Sequence, residues 1–303
     1  AGVEVVAIAA RDHARAQAFA RRHGLPLVLP SYADLLAEPG IDAIYNPLPN
    51  SLHAEWTIRA LDAGKHVLCE KPLASNAAEA ERMMQAAQSN RRLLFEAFHY
   101  RYHPLARRVK QIVESGELGR VRHLEANFCV PLLRFGDIRY RYELGGGAMM
   151  DLGCYVVHML RQLAGSEPEV VQAEAHTASP QVDRWMRAEL RFPGKLTASL
   201  TVSFWSLLPR VNLAVQGEKG ELSVVNPVLP HLFHRLTVRS AAGKRSERAP
   251  GESTYTHQLR AFVDLVRGGQ TPPASAADAI ANMRVIDAVY TRAGLPLRGM
   301  VDG

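Results

Sequence analysis

The chain has 303 residues, 47% of them hydrophobic and 22% charged, with a formal net charge of +6; that length favours two domains of ordinary globular composition. The basic residues are scattered rather than blocked, which speaks against nucleic acid as a partner and suits a small phosphate-bearing ligand. No apolar run approaches the roughly 18 residues that span a bilayer, and no charged segment leads into an apolar one at the start, so neither a membrane span nor a secretory leader is expected.

Val3, Val5, Val6 and Ile8 read as a strand that ends at Ala9-Ala10-Arg11-Asp12. Asp12 is a good N-cap, the Ala-rich stretch after it predicts a helix, and His23-Gly24 closes it. Ser31 with Asp34 forms a capping box for a short helix. Ile41 to Tyr45 is the next strand, followed by the breaker-rich loop Asn46-Pro47-Leu48-Pro49-Asn50-Ser51. A helix then runs to about Ala63 and stops at Gly64. Val67-Leu68-Cys69 forms a short apolar strand that runs into Glu70-Lys71-Pro72. A helix capped near Ser75 or Asn76 follows, then the strand Leu93 to Phe98. Strands alternating with helices predict a parallel sheet with right-handed crossovers.

The grammar changes after about residue 120. Arg122 to Phe128 alternates partly. Met186, Ala188, Leu190 and Phe192 alternate clearly, as do Leu196, Ala198, Leu200, Val202 and Phe204 across a Pro193-Gly194 turn. Leu213 and Val215 lead through Gly217-Glu218-Lys219-Gly220 into Leu222, Val224 and Val225. This predicts a large, mostly antiparallel sheet whose strands offer two apolar faces, one for helices and one for a second subunit. Helices near Thr256–Arg267 and Ala276–Arg292 finish the chain, with Ile280, Met283, Ile286, Val289 and Tyr290 on one stripe.

The chemistry centres on Lys71. In open parallel sheets ligands gather at the carboxyl ends of strands, and Pro72 ends this strand there. Asp151 and Tyr155 are four residues apart, hence on one face if Gly147 onward is helical. Arg11 stands at a strand end where enzymes that bind the unphosphorylated dinucleotide carry an acidic residue, and a guanidinium there suits a ribose 2′-phosphate; Arg15 lies one turn further on. His53, His66, His99, His103 and His158 share no ligand spacing, so no metal site is expected. Arg139, Tyr140, Arg141 and Tyr142 precede the glycine run; they are candidates to face substrate, with a solvated loop as the default reading. Cys69, Cys129 and Cys154, odd in number and widely spaced, fit a reducing cytoplasm rather than a disulfide framework. The Gly-x-Gly-x-x-Gly turn that cradles a pyrophosphate does not occur; the chain opens at what reads as a second strand, and dinucleotide binding by the chain alone is expected to be poor.

Taken together, the Glu-Lys-Pro strand, the Asn-Pro-Leu-Pro-Asn loop, Gly145-Gly146-Gly147-Ala148-Met149-Met150-Asp151-Leu152-Gly153-Cys154-Tyr155, Glu96 to Pro104 and Asp278 to Met283 resemble the Gfo/Idh/MocA oxidoreductases. Within them, the chain is most similar to the branch of dimeric dihydrodiol dehydrogenases, xylose dehydrogenases and glucose–fructose oxidoreductase. The resemblance implies an α/β chain: a Rossmann-type parallel sheet domain over residues 1–98, lacking its first strand and Gly-rich turn, then an α+β domain with a large open sheet over 99–303, for substrate binding and oligomerisation. It implies hydride transfer between a nicotinamide cofactor, NADP before NAD, and a hydroxyl or carbonyl carbon of a sugar, diol or related small molecule. Lys71 and Tyr155 match the catalytic pair, and Asp151 would orient either partner. Arg11, Arg15, Asn46, Leu48, Asn50, His53, Glu70 and Lys71 would bind the cofactor. A homodimer or higher homo-oligomer in the cytoplasm is expected. A non-catalytic ligand sensor on the same fold is the alternative, and a metal-dependent hydrolase has no ligand set to support it.

Overall fold

Capping residues set the early rhythm of the chain. The computed structural model describes residues 2–134, 136–179, 181–269 and 276–299. Strand β1 (Ala7–Ile8) ends at Asp12, whose side chain accepts from the Arg15 N–H and starts α1 (His13–His23); Gly24, left-handed at φ 69°, ends it. β2 (Leu27–Val28) leads to α2 (Tyr32–Ala37), capped by Ser31 through the Asp34 N–H. β3 (Ala43–Asn46), α3 (His53–Asp62), β4 (His66–Cys69), α4 (Ala77–Ser89) and β5 (Leu94–Glu96) complete the alternation, with Asn76 capping α4. The pairs β1–β2, β3–β4 and β4–β5 are all parallel, but no ladder joins β1 to β3 among the described residues. β1 is also shorter than the predicted strand: Val3 and Val5 are exposed, so nothing packs on that part of the run.

After β5 the chain forms α5 (Pro104–Glu114), β6 (Val121–Pro131) and α6 (Cys154–Ala164). The long strands follow: β7 (Glu169–Ser179), β8 (Val182–Arg191), β9 (Thr197–Ser203), β10 (Trp205–Gly217), β11 (Gly220–Val225), β12 (Arg235–Ser240) and β13 (Gly243–Glu247). With β6 they make one eight-stranded sheet in the order β13-β12-β11-β10-β6-β9-β8-β7. Only β6–β9 is parallel, so the expected antiparallel sheet is mixed at its centre. The hairpins at 193–194 and 217–220 fall where the glycines place them. β7, at the sheet edge with most of its residues half-exposed or exposed, carried no clear alternation in the sequence.

The two sheet faces differ, and one expectation fails here. Leu124, Ala126, Met186, Leu200, Val202, Val215, Leu222 and Val238 are buried under the helices. The opposite face is mixed rather than apolar: beside exposed Val225 it carries ion pairs, including the directly opposed Glu169–Arg191 and Glu221–Arg239 as well as Arg210–Glu125. Cross-strand opposite charges suit a solvated face, and each such exposed pair contributes only about 0–1 kcal/mol.

The last two helices return to the first sheet. In α7 (Thr254–Val266), Ala261 and Phe262 pack on Leu68 and Phe95, the two phenyl rings 5.7 Å apart. α8 (Ala276–Arg292) buries Met283, Ile286, Val289 and Tyr290 completely, as its predicted stripe requires. The Ala77 N–H donates to Asp287, so α8 also holds the start of α4.

Candidate active site

β3 and β4 end side by side, Asn46 opposite Cys69, and both open onto one cleft of about 220 Å³. Leu48, Asn50 and His53 line one wall. Glu70 and Lys71, past the end of β4, face Arg139, the Gly145–Gly147 loop and Asp151. The placement follows from chain geometry: parallel strands run in with all their carboxyl ends together, and the connecting loops must leave there.

Lys71 is half of a near-buried ion pair. Its Nζ donates to Asp151 Oδ1 at 2.8 Å and to the Asp151 main-chain oxygen at 2.9 Å. The other Asp151 oxygen accepts from Arg139 Nε at 2.8 Å. Burial alone would push the Lys71 ammonium down, but Asp151, with Tyr155 and Cys154, outweighs it and the net shift is upward. Burial likewise raises Asp151, yet Lys71 and Arg139 hold it below the usual carboxylate range. Both shifts describe one ion pair, charged on both sides at neutral pH. An ammonium has three hydrogens and Asp151 takes two, so one remains for the cleft.

Asp151 and Tyr155 do share a face. The turn between them is a π-helix over Met149–Gly153 that passes into α6, a local irregularity often found at functional sites. The Tyr155 ring lies under Lys71, its centroid 4.8 Å from Nζ. The expected Lys71–Tyr155 pair is therefore a cation–π contact rather than a hydrogen bond. The Tyr155 hydroxyl instead lies 3.0 Å from His99 Nε2. Tyr155 is 5% exposed among Phe98, His99, Tyr100 and Phe128, and burial raises its phenol well above its ordinary value although Lys71 opposes this.

The proposed cofactor residues divide into wall and support. Leu48, Asn50, His53, Glu70 and Lys71 line the cleft, whereas Asn46 lies beneath it. Asn46 donates to Thr57 Oγ1 at 3.0 Å and accepts from the Leu48 N–H, which sets the loop's turn. His53 is fully buried, its two nitrogens 2.9 Å from the Pro72 carbonyl oxygen and 2.7 Å from that of Leu48. Burial lowers its pKa, so the neutral ring donates to one carbonyl at a time and acts as a strut between the two walls. Asn50 donates to the Gly145 carbonyl at 2.9 Å. Glu70 accepts from Tyr45 Oη at 2.7 Å. Arg11 and Arg15 are exposed beyond β1, form no ion pair among the described residues, and do not line this cleft.

Four residues at or behind the site were not placed there by the sequence reading: Arg139, His99, Asp183 and Arg298. Arg139, read as part of a solvated loop, is held at the cleft because Asp137 and Asp151 both accept from its guanidinium. Behind the glycine loop, Asp183 and Arg298 pair at 3.0 Å, both fully buried. Arg298 Nε also donates to the Gly146 carbonyl at 2.7 Å, while Asp183 accepts from the Met149 N–H at 2.7 Å and from Tyr290 Oη at 2.8 Å. Gly147 (φ 136°) has no room for more: a Cβ there would stand 2.2 Å from Asp183 Oδ1. Asp183 and Arg298 are 115 residues apart, and lone charged residues at that distance carry no local pattern.

A larger cavity of about 1120 Å³ lies among α5, α6, α7 and α8 and touches neither Lys71 nor Asp151. On its charged wall Asp278 accepts from Arg101 at 3.0 Å and from Arg161 at 2.9 Å. The smaller cleft has the ammonium with a hydrogen to offer and is the candidate site. Among the described residues no group of three or more His, Cys, Asp or Glu side chains is arranged to hold a metal, and no helix is long and apolar enough to cross a membrane.

Comparison with known proteins agrees with this architecture. Residues 1–98 match the model of the oxidoreductase family with an NAD-binding Rossmann fold, and residues 106–223 match the GFO/IDH/MocA C-terminal domain. The D-xylose 1-dehydrogenase (NADP(+)) 2 of Haloferax volcanii is 37% identical over 96% of this chain and 90% of its own length. The dTDP-3,4-didehydro-2,6-dideoxy-alpha-D-glucose 3-reductase of Actinomadura kijaniata is 34% identical over 96% and 88%. The crystal structure of KijD10, a 3-ketoreductase from Actinomadura kijaniata in complex with NADP and TDP-benzene, superimposes with a TM-score of 0.89 at 33% identity, covering 95% of this chain and 89% of that one. A Rossmann-type parallel unit, a large mixed sheet and these matches together show that the chain is an oxidoreductase of the Gfo/Idh/MocA family.

Proposed function

We propose that the protein is an NADP-dependent dehydrogenase or reductase acting at a hydroxyl or carbonyl carbon of a sugar or related diol, with Lys71 and Tyr155 as its acid–base unit. The carrying observation is the Lys71 ammonium, held by Asp151 at 2.8 Å at the mouth of the cleft with the Tyr155 ring beneath it. A bound nicotinamide supplies or accepts the hydride. The chain's own part is to bind the substrate oxygen and move its proton. In reduction the carbonyl oxygen gains negative charge, and the remaining Lys71 hydrogen can meet it. Asp151 keeps that ammonium charged and aimed. Lys71 over the ring favours the Tyr155 phenolate and so offsets part of the cost of its burial.

The donors present fit the cofactor. Arg11 and Arg15 are two exposed guanidiniums past the carboxyl end of β1, the position from which a bidentate contact to a 2′-phosphate is made. The similar xylose dehydrogenase and ketoreductase, one named for NADP and the other solved with it, support the same choice. The cleft itself would take the nicotinamide end and substrate between Glu70–Lys71 and the Gly145–Gly147 loop. Three buried free thiols agree with a cytoplasmic setting. A homodimer through the uncovered sheet face belongs to the same reading, with its charged rows as the contact.

The test, made on protein carrying an intact Gly-rich phosphate turn ahead of β1, is production of reduced cofactor from D-xylose and related aldoses with NADP or NAD, and the reverse reduction of a nucleotide-linked keto sugar. Reaction with a member of this panel, NADP preferred, is expected. Loss of that preference in Arg11→Ala is expected too, at about one to two decades of NADP affinity, since charge-assisted bonds contribute roughly 1.5–3 kcal/mol. A wild type that prefers NAD, or an Arg11→Ala that weakens both cofactors equally, removes the NADP assignment.

A further inference from the structure

His99 is buried, 4% exposed, and lies at the hydroxyl end of Tyr155, whereas Lys71 lies over its ring. Its ring is fixed between two tyrosines, 5.7 Å from Tyr155 and 4.4 Å from Tyr255, centroid to centroid. Nε2 lies 3.0 Å from the Tyr155 hydroxyl, while Nδ1 is buried and makes no hydrogen bond. We infer that His99 is a positioning residue for Tyr155: its Nε2–H donates to the phenol oxygen, leaving the hydroxyl hydrogen free for substrate and stabilising the phenolate once that hydrogen has gone. The inference rests on the reading of Tyr155 as an acid–base group.

The tautomer decides it. With the proton on Nδ1, a buried N–H would have no acceptor, and Nε2 would take the Tyr155 hydrogen as its own. With the proton on Nε2, the unpaired group is only a lone pair, and orphaned buried N–H groups are the rarer of the two. The ring stays neutral, because burial, Lys71 and His231 push it down to about 3. It therefore donates a hydrogen bond and does not act as a proton reservoir. The titratable groups facing Tyr155 are Lys71 and Glu70 after β4, Asp151 and Cys154 on the α6 side, and His99 and Tyr100 before α5; Tyr255 and His231 face His99. Tyr100 Oη is already engaged with His158 Nδ1 at 2.5 Å. Glu70, Asp151 and Cys154 disfavour phenolate, which leaves two groups to support it: Lys71 at the ring face and His99 at the oxygen. In the acid step the Tyr155 O–H bond breaks as the substrate O–H forms, and the electron pair left on the phenol oxygen faces the His99 N–H.

Two measurements test this. Nitrogen NMR of the wild-type imidazoles should show His99 neutral with its proton on Nε2 at neutral pH; a proton on Nδ1 overturns the inference. In protein carrying a polyfluorinated tyrosine, whose more acidic phenol brings the high titration of this buried group into range, the fluorine resonance lost in Tyr155→Phe reports the titration of position 155. His99→Phe should move that midpoint upward by about one unit or more, because a hydrogen bond to the charged form is gone, while His99→Gln, which keeps an N–H donor, should stay near wild type. A Phe variant that titrates like wild type, or a Gln variant that titrates like Phe, overturns the role. Full turnover of Tyr155→Phe on an accepted aldose would instead remove the acid–base reading, whatever the NMR shows.

Discussion

Arg298 and Asp183 offer the sharpest quantitative test of how the cleft is held. Both are fully buried and 3.0 Å apart. Asp183→Asn leaves the guanidinium with the carbonyls of Gly146 and Pro296, at 2.7 and 2.8 Å, and no countercharge. Arg298→Met leaves the carboxylate with the Met149 N–H and the Tyr290 hydroxyl. Removing one partner of a buried pair costs about 3–5 kcal/mol, because the survivor's charge stays uncompensated. The larger loss is expected for Asp183→Asn, since carbonyl dipoles compensate a cation less than two hydrogen-bond donors compensate a carboxylate. At roughly 2–4 °C per kcal/mol for a chain of this size or slightly smaller, a 3 kcal/mol loss lowers Tm by about 6–12 °C. The double variant Asp183→Asn with Arg298→Met removes both charges, so it should lose clearly less than the two single losses added together. Melting curves of the four proteins, followed by circular dichroism at one concentration and scan rate, give the answer. Single variants within about 2 °C of wild type, or a double variant equal to the sum, would refute the claim that this pair is a coupled, uncompensated-when-broken unit.

Lys71→Ala should stay folded, with a lower Tm because Asp151 keeps only Arg139 as a countercharge, and lose about 10²–10⁴-fold in turnover, the usual range for general acid–base groups; near wild-type kcat would remove Lys71 from the chemistry. Glu96, 5% exposed, is pushed up to about 8 by burial, and the Leu73 N–H only partly opposes this. A raised carboxyl favours the folded state below its unfolded value of 4.5, and that contribution is lost as pH rises through about 8. Glu96→Gln should therefore match wild type at acid pH and melt higher than it at alkaline pH; parallel Tm–pH curves would contradict the assignment. Light scattering is expected to show a dimer at low salt that weakens as salt rises, because the uncovered sheet face carries ion pairs; a monomer at micromolar concentration in low salt would count against it.

Much of the architecture was legible because it is written in local chemistry. Asp12, Ser31 and Asn76 cap helices where a short polar side chain stands before an Ala-rich or amphipathic stretch. Glycines at 24, 64 and 194 take left-handed backbone and mark the ends of elements. The strands from Val182 to Val225 alternate because one face is buried and the other is wet. The same alternation misled on the nature of the wet face, since Ala, Thr and Ser at intermediate positions hide how regularly the charged residues pair across strands. Around the cleft, the strand-end position of Lys71 and the shared face of Asp151 and Tyr155 were legible in the sequence, while their proposed roles came from the family resemblance. Arg139, His99, Asp183 and Arg298 were not. Their roles depend on partners brought together by tertiary packing, and no periodicity links Arg298 to a residue 115 positions earlier.

The parallel pairing of β6 with β9 has a consequence for the order in which the molecule assembles. β6 lies between β9 and β10, with His123 opposite Thr197 and Phe128 opposite both Val202 and Val211. A strand made early must wait some seventy residues for its first neighbour and longer for its second. Closing such long loops is entropically slow. Until then both edges of an eleven-residue strand, carrying Leu124, Ala126 and Phe128, stand unpaired. Within the largest sheet, β6 is thus the strand that waits longest for its neighbours, and during synthesis it is the segment a chaperone would most need to cover.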